Sequence, residues 1–307
     1  LIEEREHMLN SHKIVNEFIQ DKDLDYQRVF LARSDPALNY GLIPAVLINK
    51  IALQNLDQLE RKSGVKIYPI LGVGSAPFRG NFKPSTVRNS LKDYPSVQTY
   101  TVQSAFKYDN SKEDVKEAIK YIKSKDRGKA QEVDEDKCLE IIDKFSNDYR
   151  GKVEKLAEDI NQVSKYVPPR RSRKLHVGLF GYSRELDGSE NEVKLPRAIK
   201  FTASLYSLGI PPEIIGLSSL EKEDFDYLEE VYKKMPVDIE DSLKYLNNNS
   251  VKRFPFLEED VNTALNEFDY SPNEKHKNAT TKILESDYGV EIKNEIVKAA
   301  KERKFLG

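Results

Sequence analysis

The sequence predicts an α/β fold with a parallel sheet, and three observations predict it. Short β-rich apolar runs end abruptly in glycine or charged residues, amphipathic helical stretches separate them, and everything from Pro196 to Leu306 has a helical pattern. Strands joined through helices pair in parallel, with right-handed crossovers. Four such strands are found where closing a barrel takes ~8. That count leaves two architectures: a small open sheet, or part of a (βα)8 TIM-like barrel with large α-helical insertions and an all-α C-terminal region.

Residues 1–19 place Ile2, Met8, Ile14 and Phe18 at helical spacing and predict one amphipathic helix. "RVFLAR" (28–33) reads as the first strand. Residues 37–64 read as a long helix, bent at Pro44 and closed by Gly64 as its C-cap. "VKIYPILG" (65–72) is the second strand; a Gly/Pro loop (74–84) and a short helix opened by Pro and Ser (84–94) follow. "VQTYTVQSAF" (97–106), rich in Thr, Tyr and Val, is the third strand. Residues 111–125 and 129–166 are charged and helical, "RKLHVGLFG" (173–181) is the fourth strand, and 182–194 is a loop. The expected organisation is a helical lead-in (1–27), the sheet region 28–217 with a helical insertion at 111–170, and a helical C-terminal region 218–307 of the same domain.

Composition narrows the function classes. The 307 residues are 38% hydrophobic and 33% charged, and 49 basic against 51 acidic residues give a net charge of −2, so no nucleic-acid footprint is expected. The longest apolar stretch, 41–53, is too short to span a bilayer and contains Lys50, so no membrane partner is expected. Residues 1–20 are charged throughout, unlike a signal peptide. A single cysteine, Cys138, excludes an internal disulfide framework and fits a reducing cytoplasm. Its acidic surroundings fit a structural thiol better than a nucleophile. The chain opens on Leu inside a helical pattern, which suggests a fragment or a renumbered chain.

In parallel α/β folds function collects at the carboxyl ends of the strands. Here the first strand ends in Arg33, Ser34 and Asp35. The second ends in Gly72, Val73, Gly74 and Ser75, with Arg79 and Gly80 a few residues on. The third ends in Gln103 and Ser104, the fourth in Gly181, Tyr182, Ser183 and Arg184, and Arg197 opens the next helix. Arginines grip carboxylate or phosphate bidentately, and glycines let backbone N–H groups approach an anion. The rim therefore suits a doubly anionic small molecule, and the lone carboxylate of Asp35 suits Mg2+ or Mn2+. Each residue also has a plainer reading: Asp35 as a turn or N-cap residue, Arg184 and Arg197 as surface ion-pair partners. His7 and His12 are too far apart for a helical metal pair, His176 reads as a core residue of its strand, and His276 lies in an exposed charged turn. No HExxH, CxxC or Gly-x-Ser-x-Gly pattern is present.

These strand-end motifs resemble the phosphoenolpyruvate carboxylase family, in its shorter archaeal type. "VFLARSDPALNYG" is similar to the family's Tyr-Ser-Asp-Ser-x-Lys-Asp-x-Gly segment, and Asp35 falls on its metal-binding aspartate. "GVGSAPFRGNFKP" resembles the glycine-arginine loop, with Arg79 at the second arginine and Val73 at the first; Leu38 likewise replaces a lysine of the larger enzymes. "TVQSAFKYD" resembles the segment that follows the loop, with Gln103 at its glutamine. "GYSRELDG" and "LPRAIKFTASLYSLGIPPEIIGL" resemble two further arginine motifs and carry over Arg184 and Arg197.

The resemblance implies addition of bicarbonate to phosphoenolpyruvate, giving oxaloacetate and phosphate, with Mg2+ or Mn2+ at Asp35. Arg79, Arg184 and Arg197 would form the catalytic cationic clamp, with Gln103 and, from the strand-end reading, Arg33, Gly80 and Ser104 binding substrate. It also implies a homotetramer and inhibition by a dicarboxylate such as aspartate or malate, to which Lys83 or Lys252 would contribute. The family's catalytic histidine and second metal-binding glutamate have no counterpart here. The expectation is thus the C-terminal half of a barrel, part of a longer protein. Two other readings compete. One is a different Mg-dependent barrel lyase or aldolase acting on a phosphorylated or 2-keto acid. The other is a non-catalytic helical module using the apolar stripe Ile239, Leu243, Tyr245, Leu257, Val261, Leu265 and Ile283 for self-association.

Overall fold

The computed structural model describes residue 2 and residues 4–168, 183–185 and 194–307, the backbone alone at 183–185. It is mixed α/β and mostly helical, and divides into two compact units: Leu1–Asn147 with Ser219–Asp238, and Asp148–Ser218 with Ile239–Gly307.

The first unit is built on a parallel sheet in the order β1 (Tyr26–Ala32), β2 (Lys66–Gly72) and β3 (Thr99–Tyr100). Strands β1 and β2 pair along their full length, from Tyr26 opposite Lys66 to Ala32 opposite Gly72. On the other side of β1, Ile2 forms a parallel bridge with Leu31: its N–H donates to Phe30 and its carbonyl accepts from Ala32. The expected third strand is far shorter than 97–106. Its ladder ends with Thr101 N–H donating to Leu71, because β2 gives way to the glycine loop and leaves nothing further to pair with. The chain then widens into a π-helical turn at Ala105–Asp109.

The lead-in is two helices, α1 (Arg5–Leu9) and α2 (Ser11–Ile19), broken at Asn10. Met8, Ser11, Val15 and Ile19 are buried at spacings of three and four residues; of the predicted face Met8 is buried but Ile14 and Phe18 are exposed, so the buried face of α2 differs from the prediction. The long helix predicted at 37–64 is also two: α3 (Ser34–Tyr40) and α4 (Leu42–Ser63). The break falls at Gly41, whose φ of 95° is open to glycine, and not at Pro44. Pro44 sits in the first turn of α4, where its missing N–H has no intrahelical partner to lose. Gly64 closes α4 in the left-handed conformation, as predicted. Helix α4 is buried continuously from Leu42 to Leu53. Within it Asn49 donates to the Ala32 carbonyl at 3.1 Å, pinning the helix to the end of β1. After α5 (Val87–Asp93) and α6 (Lys112–Lys123), α7 (Glu135–Ser164) runs from the first unit into the second.

The predicted fourth strand, 173–181, lies outside the described residues, and with it His176, Gly181 and Tyr182. The segment read as a loop, 182–194, instead contributes β4 (Ser183–Glu185), which pairs antiparallel with β5 (Lys194–Pro196). The remainder is helical as expected: α8 (Ala198–Ser207), α9 (Lys222–Val231), α10 (Met235–Leu243), α11 (Ser250–Arg253), α12 (Glu258–Glu267), α13 (Glu274–Leu284) and α14 (Ile292–Arg303). Of the stripe considered for self-association, Ile239, Leu243, Leu257, Val261 and Ile283 are buried core. No described helix is long and apolar enough to cross a membrane.

Candidate active site

The ends of β1, β2 and β3 meet around one guanidinium. The loop after β2 turns through a short 3-10 helix at Pro77–Arg79 and closes on itself. Gly74 N–H donates to the Arg79 carbonyl at 2.6 Å, and Phe82 N–H donates to Gly74 at 2.8 Å. Arg79 lies flat across Gly74, where a Cβ would stand 2.9 Å from Arg79 Cζ, so the glycine here makes room for the arginine. Arg79 is only 5% exposed. Its Nε donates to Ser34 Oγ at 3.3 Å and its Nη2 to Gln103 Oε1 at 3.0 Å, fixing the plane of the group between the first and third strand ends. Ser75 and Ser104 join the second and third ends, with hydroxyls 3.3 Å apart, and Ser75 Oγ accepts from Ala105 N–H.

Aromatic packing supports this rim. Phe82 of the loop stacks on Tyr100 (centroids 4.7 Å apart) and on Phe106 of the π-helical turn (5.2 Å). Thr101 Oγ1 donates to the Val73 carbonyl at 2.7 Å. Val73 and Leu38, where the sequence departs from the family motifs, are both buried apolar residues.

Asp35 stands half-buried in the first turn of α3, beside Ser34. Among the described residues no group of three or more His, Cys, Asp or Glu is arranged to hold a metal. The Asp35 carboxylate can supply an oxygen ligand to a hard cation, and Mg2+ takes one or two carboxylates with water and substrate oxygens completing its shell. Arg33 is 1% exposed and lies beneath the loop, with Nη1 3.5 Å from the Phe78 carbonyl; Nη2 has no hydrogen-bond partner among the described residues. Gly80 follows Arg79 at φ 112°. Arg184 lies opposite Leu195 in the β4–β5 ladder, and Arg197 is the exposed N-cap residue of α8. Both belong to the second unit, so the first unit brings together Arg79, Gln103, Ser104, Gly80, Asp35 and, from beneath, Arg33.

Below the loop lies a buried ionic layer that the sequence reading missed. Lys50 of α4 donates to Asp93 Oδ1 at 3.1 Å and to Gln131 Oε1 at 2.9 Å. Burial pushes the Lys50 ammonium down and the Asp93 carboxyl up, while each pulls the other back toward its charged form. Lys234 and Asp238, also buried, form a second pair at 3.2 Å. These residues are ordinary helix-face charges in sequence, and no local pattern distinguishes them. Cys138 is fully buried, its thiol 3.3 Å from the Tyr227 hydroxyl and pushed up to about 11 by burial, in keeping with a structural role. His276, expected in an exposed turn, is instead buried in α13, because Asn273 caps that helix and turns the imidazole inward against Arg303.

A family model described as phosphoenolpyruvate carboxylase matches residues 1–307. The chain is 46% identical to the phosphoenolpyruvate carboxylase of Methanothermobacter thermautotrophicus over all of its own length and 63% of that protein. It is 44% identical to that of Methanospirillum hungatei, over the same shares. It is 40% identical to that of Pyrococcus horikoshii, over all of its own length and 62% of the relative. The chain thus spans less than two thirds of the relatives it matches.

Proposed function

Since the chain belongs to the phosphoenolpyruvate carboxylase family, we propose that it carries part of the active site of an enzyme that adds bicarbonate to phosphoenolpyruvate, giving oxaloacetate and phosphate. The observation that carries this reading is Arg79, held in one plane by Ser34 and Gln103 where three parallel strands end.

In this mechanism Arg79 binds the phosphoryl oxygens as phosphate passes from the enolate oxygen to bicarbonate. A guanidinium already oriented by protein oxygens needs no reorganisation at the moment of transfer. Ser75 and Ser104, with the backbone of Gly80, line the same rim, and Arg33 adds permanent positive charge from beneath. The family resemblance alone assigns Arg184 and Arg197 to the same cationic role. The aromatic stack of Phe82, Tyr100 and Phe106 backs the rim with apolar surface, and exclusion of water there protects the enolate from protonation to pyruvate. Asp35 would hold Mg2+ or Mn2+, which when bound would offset negative charge developing on the enolate oxygen. The parallel run of Ile2, β1, β2 and β3 favours a (βα)8 barrel over an open sheet. A homotetramer inhibited by a dicarboxylate such as aspartate or malate is proposed on the family resemblance alone, and a cytoplasmic location on the single cysteine.

The test is a coupled assay for oxaloacetate in the full-length protein, with Mg2+, phosphoenolpyruvate and bicarbonate. Product that requires bicarbonate is expected. Metal-dependent turnover indifferent to bicarbonate would replace this reading with a lyase or aldolase. Arg79→Ala should lower turnover more than about tenfold. Activity within about twofold of the parent would remove Arg79 from the clamp.

A further inference from the structure

We propose that Lys234 and Asp238 are positioning residues for Arg79, fixing its guanidinium through the backbone of the two residues that follow it. The inference rests on the carboxylation reading above, which places Arg79 at the phosphoryl group.

Gly80 and Asn81 both have positive φ, 112° and 46°. Two successive left-handed residues turn the chain sharply, and the loop's own hydrogen bonds account for only some of its carbonyls. Ala76 accepts from Arg79 and Asn81, Pro77 from Gly80, Gly74 from Phe82 and Arg79 from Gly74. The Gly80 carbonyl is met by Lys234, whose Nζ donates to it at 2.6 Å and lies 3.4 Å from the Asn81 carbonyl. The Asn81 carbonyl also accepts from Thr86 Oγ1.

The lysine is itself fixed. Asp238, one turn further along, is 3.2 Å away. That carboxylate accepts from Tyr232 Oη at 2.5 Å and from Asn81 Nδ2 at 2.9 Å. The connections close a circuit: Lys234 grips the loop backbone, Asp238 grips the Asn81 side chain, and the two grip each other. Both are 2% exposed.

A buried ion pair adds little net stability over an apolar pair of the same volume, and its best-attested use is to specify one geometry. Here the specified geometry is the exit of the Arg79 turn. Burial pushes the Lys234 ammonium down, and Asp238, followed by Asp93, opposes that. The pair meets the loop at the carbonyls of Gly80 and Asn81 and at the Asn81 side chain, directly after Arg79, so it can act on turnover through the turn that aims Arg79. Misplacing a catalytic group by about 1 Å can cost about 100-fold.

The experiment is a double-mutant cycle in the full-length protein, reading kcat for oxaloacetate. Lys234→Met is made in the parent and in Arg79→Ala. We expect a loss of at least about tenfold in the parent and less than about twofold in Arg79→Ala, since an absent side chain cannot be misaimed. Equal losses in both backgrounds would mark a general structural role and overturn the proposal, as would no loss in the parent. If Lys234→Met does not fold, Tyr232→Phe, which removes only the hydroxyl on Asp238, enters the same cycle under the same criteria. A parent that makes no oxaloacetate would defeat the carboxylation reading and this inference with it, and that result is seen before any substitution is made.

Discussion

In the first unit, Lys234 is buried against a carboxylate, and the pair is bonded to the backbone of Gly80 and the side chain of Asn81. In the second unit, Arg303 is just as deeply buried but has different company. Its guanidinium lies over the rings of Tyr206 and Phe305, 5.3 and 5.7 Å from their centroids. Its Nη1 is 2.8 Å from His276 Nε2, and its Nη2 donates to the Leu306 carbonyl at 3.3 Å. The nearby Glu213 carboxylate accepts from the Tyr206 hydroxyl. Burial brings Arg303 down to about 10. The contrast teaches how a buried charge is used. A carboxylate partner with its own directional bonds transmits position to a loop. Aromatic faces accept charge over a wide area and fasten a helix end without aiming anything.

The largest expected effect comes from breaking the carboxylate pair. Asp238→Ala strands the Lys234 ammonium and should lower unfolding free energy by about 3–5 kcal/mol in a denaturant melt. A cost below about 1 kcal/mol would mean that Lys234 does not carry a charge needing that partner. In the second unit, Arg303→Met leaves an imidazole nitrogen and a carbonyl without their donor, while the nearby Glu213 carboxylate keeps its hydrogen bond from Tyr206. The expected cost is about 1–3 kcal/mol by the same melt. A loss equal to that of Asp238→Ala would erase the distinction between the two settings.

The smallest effect is on pH dependence. Burial, and then the Arg303 charge, hold the His276 imidazole down to about 2, against an ordinary 6.5 when unfolded. The unfolded chain therefore binds a proton that the folded chain refuses. This contribution is fully present above the unfolded value and is lost as pH falls below it, at a limiting slope of about 1.4 kcal/mol per pH unit. Between about pH 6.5 and about pH 5.5 the parent should lose about 1 kcal/mol more than His276→Gln does. Parallel stability curves for the two would show that His276 takes up its proton without leaving the folded state.

What the sequence made legible is what local chemistry decides. The first two strands, the Gly64 cap and the grouping of Arg79, Gln103 and Ser104 at strand ends follow from apolar runs that stop at glycine or charge. The lead-in was misread because Ile14 and Phe18 look like core to a periodicity count, whereas packing against α4 chose Val15 and Ile19. His276 has charged neighbours in sequence, yet only the cap at Asn273 and the later Arg303 decide which way its ring points. Lys234 and Asp238 lie more than 150 residues from the loop they hold, and no spacing rule covers such pairs. Local pattern located the arginine, and long-range pairing located what steadies it.

The π-helical turn at Ala105–Asp109 has a consequence for how this site can change over evolutionary time. A π turn holds one residue more than an α turn of the same shape. Removing a single residue from it would let the segment relax into an ordinary helix and rotate everything on one side by about 100°. Gln103 and Ser104 sit directly before that extra residue, and Phe106 within it is stacked on Phe82. Substitutions at exposed Lys107 or Tyr108 should therefore be readily accepted, while a one-residue deletion there should take the amide away from Arg79. In this stretch chain length is under tighter constraint than chemical identity.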